Sequence, residues 1–224
     1  MGHVPPIYYG LWQRTLYAEP ADGEPTFEDR DTRVLWLQAG DWHADLRVST
    51  VRPDFTGVSS LADCGRNQLI WLARQTAFAG ITRVEGRFCT WHRLVDLSPG
   101  LEKDIGEMRF IDYDTLEECH PRRRYREVWR RVSPRIDTQP VVRLDDTGLP
   151  VRLVFGDHAM FITPRDGLVK DHDLLTMPTA LTSEQLTQRA ALTLSYAERR
   201  GEQWLIRLST WPWMEDRLVP DADS

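Results

Sequence analysis

The chain has 224 residues, of which 41% are hydrophobic and 28% are charged, and these values are ordinary for a globular protein. Its 34 acidic residues outnumber its 28 basic residues, so its formal net charge is −6. No nucleic-acid partner is expected, because phosphate binding requires a basic surface. The length suits one large β domain or two small ones.

Three further features of the sequence predict where the protein works. No apolar stretch reaches the roughly 18 residues of a membrane-crossing helix, so no membrane partner is expected. The first residues lack the basic and apolar regions of a signal peptide. Cys64, Cys89 and Cys119 have neither the number nor the spacing of a disulfide framework or a zinc site. Together these features predict a cytoplasmic protein.

The early part of the chain has the two-residue period of β-strands. Residues 10–17 alternate, and residues 32–38 and 42–48 alternate on either side of Gly40-Asp41, which predicts a hairpin. In the first run, one predicted face carries Leu11, Gln13, Thr15 and Tyr17, and the other carries Trp12, Arg14 and Leu16.

Residues 61–78 are the main predicted helix, because Leu69, Leu72 and Ala73 recur at helical spacing. Gly80 is then expected at the C-terminal end of that helix. Beyond it, residues 82–97 alternate again, either as one bent strand or as two strands that meet at Gly86.

Further alternating runs follow at residues 105–112 and 125–132, so the first 133 residues are predicted to hold about seven or eight strands. Arg122-Arg123-Arg124, between these two runs, is interpreted as a solvated turn.

The second part of the chain follows a predicted connection that contains Ser133-Pro134 and Gln139-Pro140. Residues 164–178 are predicted to form a long loop, and Thr182 or Ser183 to cap a short helix that runs to Arg189. The tail from Pro212 is expected to fray. Strands are predicted at residues 141–144, 150–155, 158–163, 191–198 and 203–210, with hairpin turns at Gly156-Asp157 and Arg200-Gly201.

About twelve short strands with one main helix predict a mostly β protein. We expect an antiparallel β-barrel, because full closure leaves no exposed sheet edge; a β-sandwich is the alternative. Two lobes are predicted: a barrel lobe over residues 1–133, and a second β lobe over residues 134–224 that completes the barrel or packs on it.

Particular runs of residues carry a family resemblance. The run Gly10-Leu11-Trp12, followed by successive hairpins, resembles the calycin group of lipocalin-like barrels. Three more segments are similar to a two-lobed lipocalin-like family of unassigned activity from fungi and bacteria: Trp36-Leu37-Gln38 with Asp45-Leu46-Arg47, Trp91-His92-Arg93 with Asp96, and residues 125–129. The similarity covers residues 8–132 and, more loosely, 140–210. It implies a lipocalin-like (calycin) barrel with a cavity, and it supplies no catalytic residues.

The sequence has no recognisable motif for metal binding, nucleophilic catalysis or phosphate binding. The histidines are dispersed, and a metal site would have to be assembled from separate strands, for example from His43 and His92. No metal and no cofactor are therefore expected.

Charged residues within apolar strands are the remaining signal, and they have two interpretations. The first places the polar faces in solvent. The second places them inside the barrel, where they would orient a ligand. In the second interpretation the ligand-binding candidates are Arg14, Trp36, Arg47, Trp91, Arg93 and Trp129, and the catalytic candidates are Glu127, Glu107, His92 and Tyr125.

Three functions remain open from the sequence. The first is a barrel that binds a small hydrophobic or aromatic molecule, with a carboxylate on the ligand as one option. The second is an enzyme, such as a lyase, isomerase or hydratase, that acts on a small organic acid. The third is a protein-interaction module. The first two predict a polar-lined internal cavity, whereas the third does not.

Overall fold

A computed structural model describes residues 3–132, 138–165 and 174–221 of the chain. It has two antiparallel sheets. The first sheet contains β1 (Gly10–Glu19), β2 (Phe27–Glu28), β3 (Thr32–Ala39), β4 (Trp42–Ser49), β5 (Thr76–Glu85), β6 (Phe88–Asp96), β7 (Asp104–Phe110), β8 (Thr115–Cys119) and β9 (Arg126–Arg131). The second sheet contains β10 (Val141–Leu144), β11 (Pro150–Phe155), β12 (His158–Thr163), β13 (Thr193–Arg200), β14 (Gln203–Ser209) and β15 (Leu218–Pro220).

Eight strands of the first sheet form a closed barrel in the order β1, β3, β4, β5, β6, β7, β8, β9. The barrel closes because β9 pairs antiparallel with β1, from Trp12 opposite Arg131 to Ala18 opposite Arg126. The short β2 only extends the end of β1. The prediction of a mostly β protein with an antiparallel barrel is therefore confirmed.

Strand β4 shows how the chain divides its side chains between the inside and the outside of the barrel. His43 and Asp45 are buried, and they alternate with Ala44 and Leu46 on the opposite face. Leu46 belongs to an apolar cluster that also contains residues of the second sheet. The polar face of this strand therefore points into the barrel, and its apolar face is covered from outside.

The second sheet follows chain order from β10 to β15 and packs on the outer face of the barrel. Its Leu153, Met160 and Leu194 share one buried apolar cluster with Leu35 and Leu46 of the barrel. This contact explains why β3 and β4 are buried on both faces, since one face meets the barrel interior and the other meets the second sheet.

One end of the barrel is closed by the segment that precedes β1. Val4 and Tyr8 are buried in the interior cluster, and the carbonyl of Tyr8 accepts a hydrogen bond of 2.8 Å from the indole of Trp12. The guanidinium of Arg131 lies 4.1 Å from the centre of the Trp12 ring and donates to the carbonyl of Ile7. The other end, where β1, β4, β6 and β8 finish, is the open end.

Two eight-residue helices, α1 (Arg66–Ala73) and α2 (Ser183–Ala190), pack against each other through Leu72 and Leu186. The side-chain oxygen of Thr182 accepts from the backbone of Gln185, so the predicted cap of the second helix is confirmed. No helix in the described ranges is both long enough and apolar enough to cross a bilayer.

The predicted helix over residues 61–78 was wrong in its bounds. Only residues 66–73 are α-helical, and residues 76–78 already belong to β5, where Gly80 lies opposite Arg93 instead of ending a helix. Residues 77–80 have no polar side chain on either face, because β5 is buried on both faces there. Without alternation between polar and apolar residues, the sequence pattern cannot distinguish a strand from a helix. At Gly86, the alternative of two strands is confirmed.

Three other features of the structure differ from the sequence-based prediction. A bulge between Arg14 and Leu16 shifts the alternation of β1, so Tyr17 lies on the same face as Arg14. The tail does not fray at Pro212, because β15 pairs with β14 and Asp221 pairs with Arg152 at 2.6 Å. The described residues contain 15 strands, whereas about twelve were predicted.

Some sequence-based predictions fall outside the described ranges. These are the Ser133-Pro134 connection with the boundary between the two predicted lobes, and the part of the 164–178 loop that covers residues 166–173. The division into two lobes therefore stays a prediction.

Gly80 should be intolerant of any side chain. A Cβ atom at this position would lie 1.9 Å from the carbonyl oxygen of His92, in backbone that cannot move without breaking the β5–β6 ladder. We expect Gly80→Ala to lower the free energy of unfolding, measured by urea denaturation, by about 2 kcal/mol or more. Gly100→Ala is the control, because no atom lies within 4 Å of its added Cβ, and it should change stability by less than about 0.5 kcal/mol. Equal stability of the two variants would contradict the close approach.

Candidate functional site

Three spaces meet at the open end of the barrel. The inner cavity is lined by Trp36, Asp45, Arg47, Phe78, Trp91, Asp104, Glu118 and Trp129. The large cleft, of about 720 Å³, lies between the β6–β7 and β8–β9 connections and is lined by residues 91–94, 96, 99–105, 120, 124 and 125. The arginine cleft, of about 590 Å³, is lined by Arg14, Tyr17, Phe27, Asp29, Thr32, Arg47, Ser49, Val51, Trp71, Arg74, Gln75 and Thr76.

The inner cavity is small because tryptophans fill the barrel. Trp36 contacts Trp91 and Trp129 edge to face, with ring centres 5.8 and 5.7 Å apart. The remaining volume is about 10 Å³, which is the space of at most one water molecule. The interior is therefore polar-lined but filled, and the two clefts outside it are much larger.

Three arginines point from the barrel wall toward the open end, and each contacts two carboxylates. Arg14 Nη1 donates to Glu127 Oε1 at 2.7 Å, and its Nη2 donates to Asp29. Arg47 donates through Nε to Asp45 Oδ1 at 2.7 Å and through Nη1 to Glu127 Oε1 at 3.4 Å. These contacts neutralise both guanidiniums in a poorly solvated environment.

Arg93 completes the group. Its Nη2 donates to Asp104 Oδ2 at 2.6 Å and its Nη1 donates to Asp96 Oδ2 at 3.1 Å. Its guanidinium also lies 3.6 Å from the centre of the Phe78 ring, which is a cation–π contact. Arg93 is therefore bound on its edges by carboxylates and on its face by an aromatic ring.

Glu118 is a carboxyl group buried inside the barrel. The Trp129 indole donates to its Oε2 at 3.1 Å, and the Tyr125 hydroxyl donates to its Oε1 at 3.3 Å. Burial raises the pKa of Glu118 well above its usual range, and the neighbouring carboxylates of Glu127 and Asp104 raise it further. Glu118 therefore keeps its proton to a higher pH than an exposed glutamate does.

The Glu118 side chain fits because Gly106, on the neighbouring strand β7, has no side chain. A Cβ atom on Gly106 would lie 2.7 Å from Glu118 Cγ. Strand β7 thus leaves the space into which the carboxyl group of β8 extends.

Asp45 and Tyr125 complete the polar part of the interior. Burial raises the pKa of the Asp45 carboxyl group, and the bonded guanidinium of Arg47 opposes that rise. Tyr125 stacks on Tyr17 with ring centres 5.6 Å apart at the open end, and burial together with Glu118 raises the pKa of its hydroxyl. The stacked pair lies between the clefts, since Tyr17 lines the arginine cleft and Tyr125 lines the large cleft.

The arginine cleft has an unusual charge composition. Its lining holds three arginines and one aspartate, together with the aromatic rings of Tyr17, Phe27 and Trp71. Arg74 is exposed, and its guanidinium has no ion-pair partner among the described residues. The Trp71 ring is held in place because its indole donates to the carbonyl of Val51 at 2.8 Å.

The large cleft is electrically balanced. Three basic side chains, Arg93, Lys103 and Arg124, face Asp96, Glu102 and Asp104, and Arg124 is bound to Glu102. The predicted solvated turn at Arg122-Arg123-Arg124 lies beside this cleft, with all three residues exposed.

The structure brings eight of the ten predicted site residues together. All six residues that the sequence suggested for ligand binding lie in the barrel interior or at its open end: Arg14, Trp36, Arg47, Trp91, Arg93 and Trp129. Of the four catalytic candidates, Glu127 and Tyr125 join them.

The other two catalytic candidates do not join the interior. Glu107 pairs with Arg87 at 3.2 Å on the outer face of β7, because neighbouring Gly106 and Met108 take the inward positions. His92 is exposed and lines only the outer part of the large cleft, whereas His43 is fully buried and bonded to Thr82. Burial lowers the pKa of His43 to about 3. His43 and His92 therefore do not form the pair that was considered for a metal.

Sequence reasoning missed several members of the site. Glu118 went unrecognised because adjacent Glu117 and Glu118 hide the alternation of the short strand β8. Asp104 stands at the start of β7, and Arg74 follows α1, so neither position has a periodic signal. Asp45 was visible, since it alternates with the buried apolar residues of β4. No group of three or more His, Cys, Asp or Glu in the described ranges is arranged to hold a metal ion.

The chain was compared with known proteins, and it matches no protein-family model, no curated protein and no solved structure.

The raised pKa of Glu118 should appear in the pH dependence of stability. Its pKa is higher in the folded protein than in the unfolded chain, so the folded state holds an extra proton between these two values. Its contribution to stability is therefore lost as the pH rises through that interval. Glu118→Gln keeps the shape and removes the titration, so we expect the variant to gain stability relative to the wild type as the pH rises from about 5 to about 8.

Urea unfolding at a series of pH values measures this difference, which one proton limits to about 1.4 kcal/mol per pH unit. A difference that stays constant with pH would show that Glu118 has the same pKa in both states.

Proposed function

We propose that the protein binds a small molecule at the open end of its barrel, in the arginine cleft. The proposed ligand has an aromatic or hydrophobic body and a carboxylate group. The observation that carries this proposal is the lining of that cleft, where three arginines and three aromatic rings accompany one aspartate. Its volume of about 590 Å³ is within the usual range of small-molecule sites.

The contacts of the cleft assign a role to each part of such a ligand. Arg74 has no ion-pair partner among the described residues, and about a quarter of the Arg47 side chain is exposed. Both guanidiniums are thus accessible to a carboxylate, for which bidentate hydrogen bonding is favourable. Tyr17, Phe27 and Trp71 offer faces for an aromatic or apolar body. Arg14 is less accessible, because only 6% of its side chain is exposed.

The calycin resemblance supports this proposal in architecture, since it implies a barrel with a cavity and lipocalin barrels can hold one small ligand. The location differs from a typical interior cavity, because tryptophans occupy the inside of this barrel. We therefore propose a calycin-like barrel whose ligand lies across the opening.

Arg74 gives a direct test, since none of the described residues would lose an ion-pair partner on its substitution. We expect 2-naphthoate and cinnamate to bind in isothermal titration calorimetry and the uncharged amide 2-naphthamide to bind more weakly. Arg74→Gln should raise the Kd of 2-naphthoate about tenfold, which corresponds to one charge-assisted hydrogen bond of about 1.4 kcal/mol.

Arg130→Gln is the matched control, because Arg130 is an exposed arginine of β9 that lies outside both clefts. It should leave the Kd unchanged. Absence of binding by every carboxylate tested, or an equal loss in both variants, would contradict the proposal.

A second candidate function rests on a different observation. Tyr125 and Glu118 form an acid–base pair 3.3 Å apart, and Tyr125 reaches the large cleft. This pair favours the enzyme alternative, in which Tyr125 passes a proton between Glu118 and a small organic acid. Incubation of each ligand that binds, followed by mass spectrometry, tests this alternative, and loss of product formation in Glu118→Gln would support it.

A further inference from the structure

Arg47 belongs to two environments at once. It lines the arginine cleft and also the inner cavity, so one guanidinium joins the proposed ligand site to the buried interior. On its inner side it donates to Asp45 at 2.7 and 3.2 Å and to Glu127 at 3.4 Å. Any charge that arrives at Arg47 from the cleft therefore acts on these two carboxylates.

The surroundings of Asp45 make it sensitive to such a change. The Asp45 side chain is only 5% exposed, and Arg47 is the only guanidinium bonded to it in the described part of the chain. The neighbouring strands β3 and β5 place Trp36 and Phe78 opposite it. The other charged or titratable groups of the interior come from β1, β6, β7, β8 and β9: Arg14, Arg93, Asp104, Glu118, Glu127 and Tyr125.

A ligand carboxylate bound to Arg47 adds a negative charge next to this group and competes for the guanidinium that stabilises ionised Asp45. Both effects favour the protonated form of a buried carboxyl group. In the free protein, burial already raises the pKa of Asp45. The ionised ligand and the ionised Asp45 therefore compete for the same cation.

We propose that the carboxylate ligand binds together with one proton, which Asp45 takes up from solvent. This inference rests on the proposed function and specifies how that site is regulated. The ligand stays ionised and pairs with Arg47, while the proton goes to a carboxylate oxygen of Asp45, so no net charge is added to the interior. Binding consumes a proton, and it therefore becomes tighter as the pH falls.

Two neighbouring carboxyl groups are less suited to accept this proton. Among the described residues, the side-chain hydrogen bonds to Glu118 come from Tyr125 and Trp129, so a ligand at Arg47 takes no bonded cation from it. Glu127 keeps its contact with Arg14 at 2.7 Å even if Arg47 turns toward the ligand. Asp45 is the carboxylate that would be left without a bonded cation.

Calorimetry measures proton uptake directly. Titrating 2-naphthoate at about pH 7 in phosphate and in Tris, whose ionisation enthalpies differ, gives the number of protons bound with each ligand. We expect close to one proton for the wild type, and an affinity that rises up to tenfold for each unit that the pH falls between about 8 and 6, where neither arginine nor the ligand titrates. Asp45→Asn keeps the shape without a titrating group, so its proton uptake should be near zero and its affinity independent of pH.

Glu107→Gln is the matched control, because it removes a carboxylate from the outer face of the barrel and should keep the wild-type proton uptake. If Asp45→Asn fails to fold, carbon NMR of the aspartate carboxyl groups in the wild type replaces it, and ligand addition should move the Asp45 resonance toward its protonated position.

Each outcome decides a different claim. Binding without proton uptake in the wild type overturns this inference and leaves the proposed function standing. Wild-type uptake in Asp45→Asn, or an unchanged Asp45 resonance, overturns the assignment to Asp45. Failure of every carboxylate to bind overturns both the inference and the proposed function.

Discussion

The ladder between β1 and β9 is the constraint on which the site depends. It joins the first and last strands of the barrel, and the Arg14–Glu127 ion pair crosses it on the inside. Without this ladder β1 and β9 would be free edges, and Glu127 would face solvent instead of two arginines. Closure converts charged strand faces into a confined network, because water cannot compete for groups that the barrel encloses.

The polar interior depends equally on what covers the barrel from outside. A lone barrel with charges inside and leucines outside would expose its apolar face to water. Here the second sheet covers that face, and Leu46 lies among Leu153 and Met160. The hydrophobic contribution to stability thus comes largely from the interface between the two sheets and from the tryptophans, about 25 cal/mol per Å² of apolar surface removed from water. The barrel interior is then free to hold a network of ion pairs.

Much of the fold follows from the sequence, because hairpin turns and alternation are local signals. Gly40-Asp41 and Gly156-Asp157 mark two observed hairpins, and residues 42–48 lie within one strand. The predicted helix extended too far because residues 77–80 have no polar side chain on either face, since β5 is buried on both faces there. The short strand β8 could not be recognised, since two adjacent glutamates conceal which of them points inward.

The site was less predictable than the fold. The alternation of residues 42–48 places Arg47 on the same strand face as Asp45. A period of two cannot tell whether that face points into the barrel or out of it. Which face points inward depends on the second sheet. Leu35 and Leu46 of the barrel contact residues of that sheet, such as Leu153 and Met160, that are more than a hundred positions later in the sequence. Glu107 shows the same limit, because it was predicted to face the interior but lies on the outer face of β7. Its neighbour Gly106 takes the inward position. The room for a ligand also depends on how three tryptophan rings meet, and a sequence pattern does not encode that geometry.

The two faces of β4 have a consequence for changes in chain length. One inserted residue within the strand would turn Asp45 and Arg47 toward the second sheet and Leu46 toward the carboxylates, so two separate cores would be damaged together. The turn at Gly40-Asp41 has only two residues, so it cannot compensate for a change in the register between β3 and β4. The connection from residue 50 to 65 contains no strand, and it can lengthen without changing any register. Insertions and deletions compatible with this architecture are therefore confined to such connections, and the length of β4 itself is fixed.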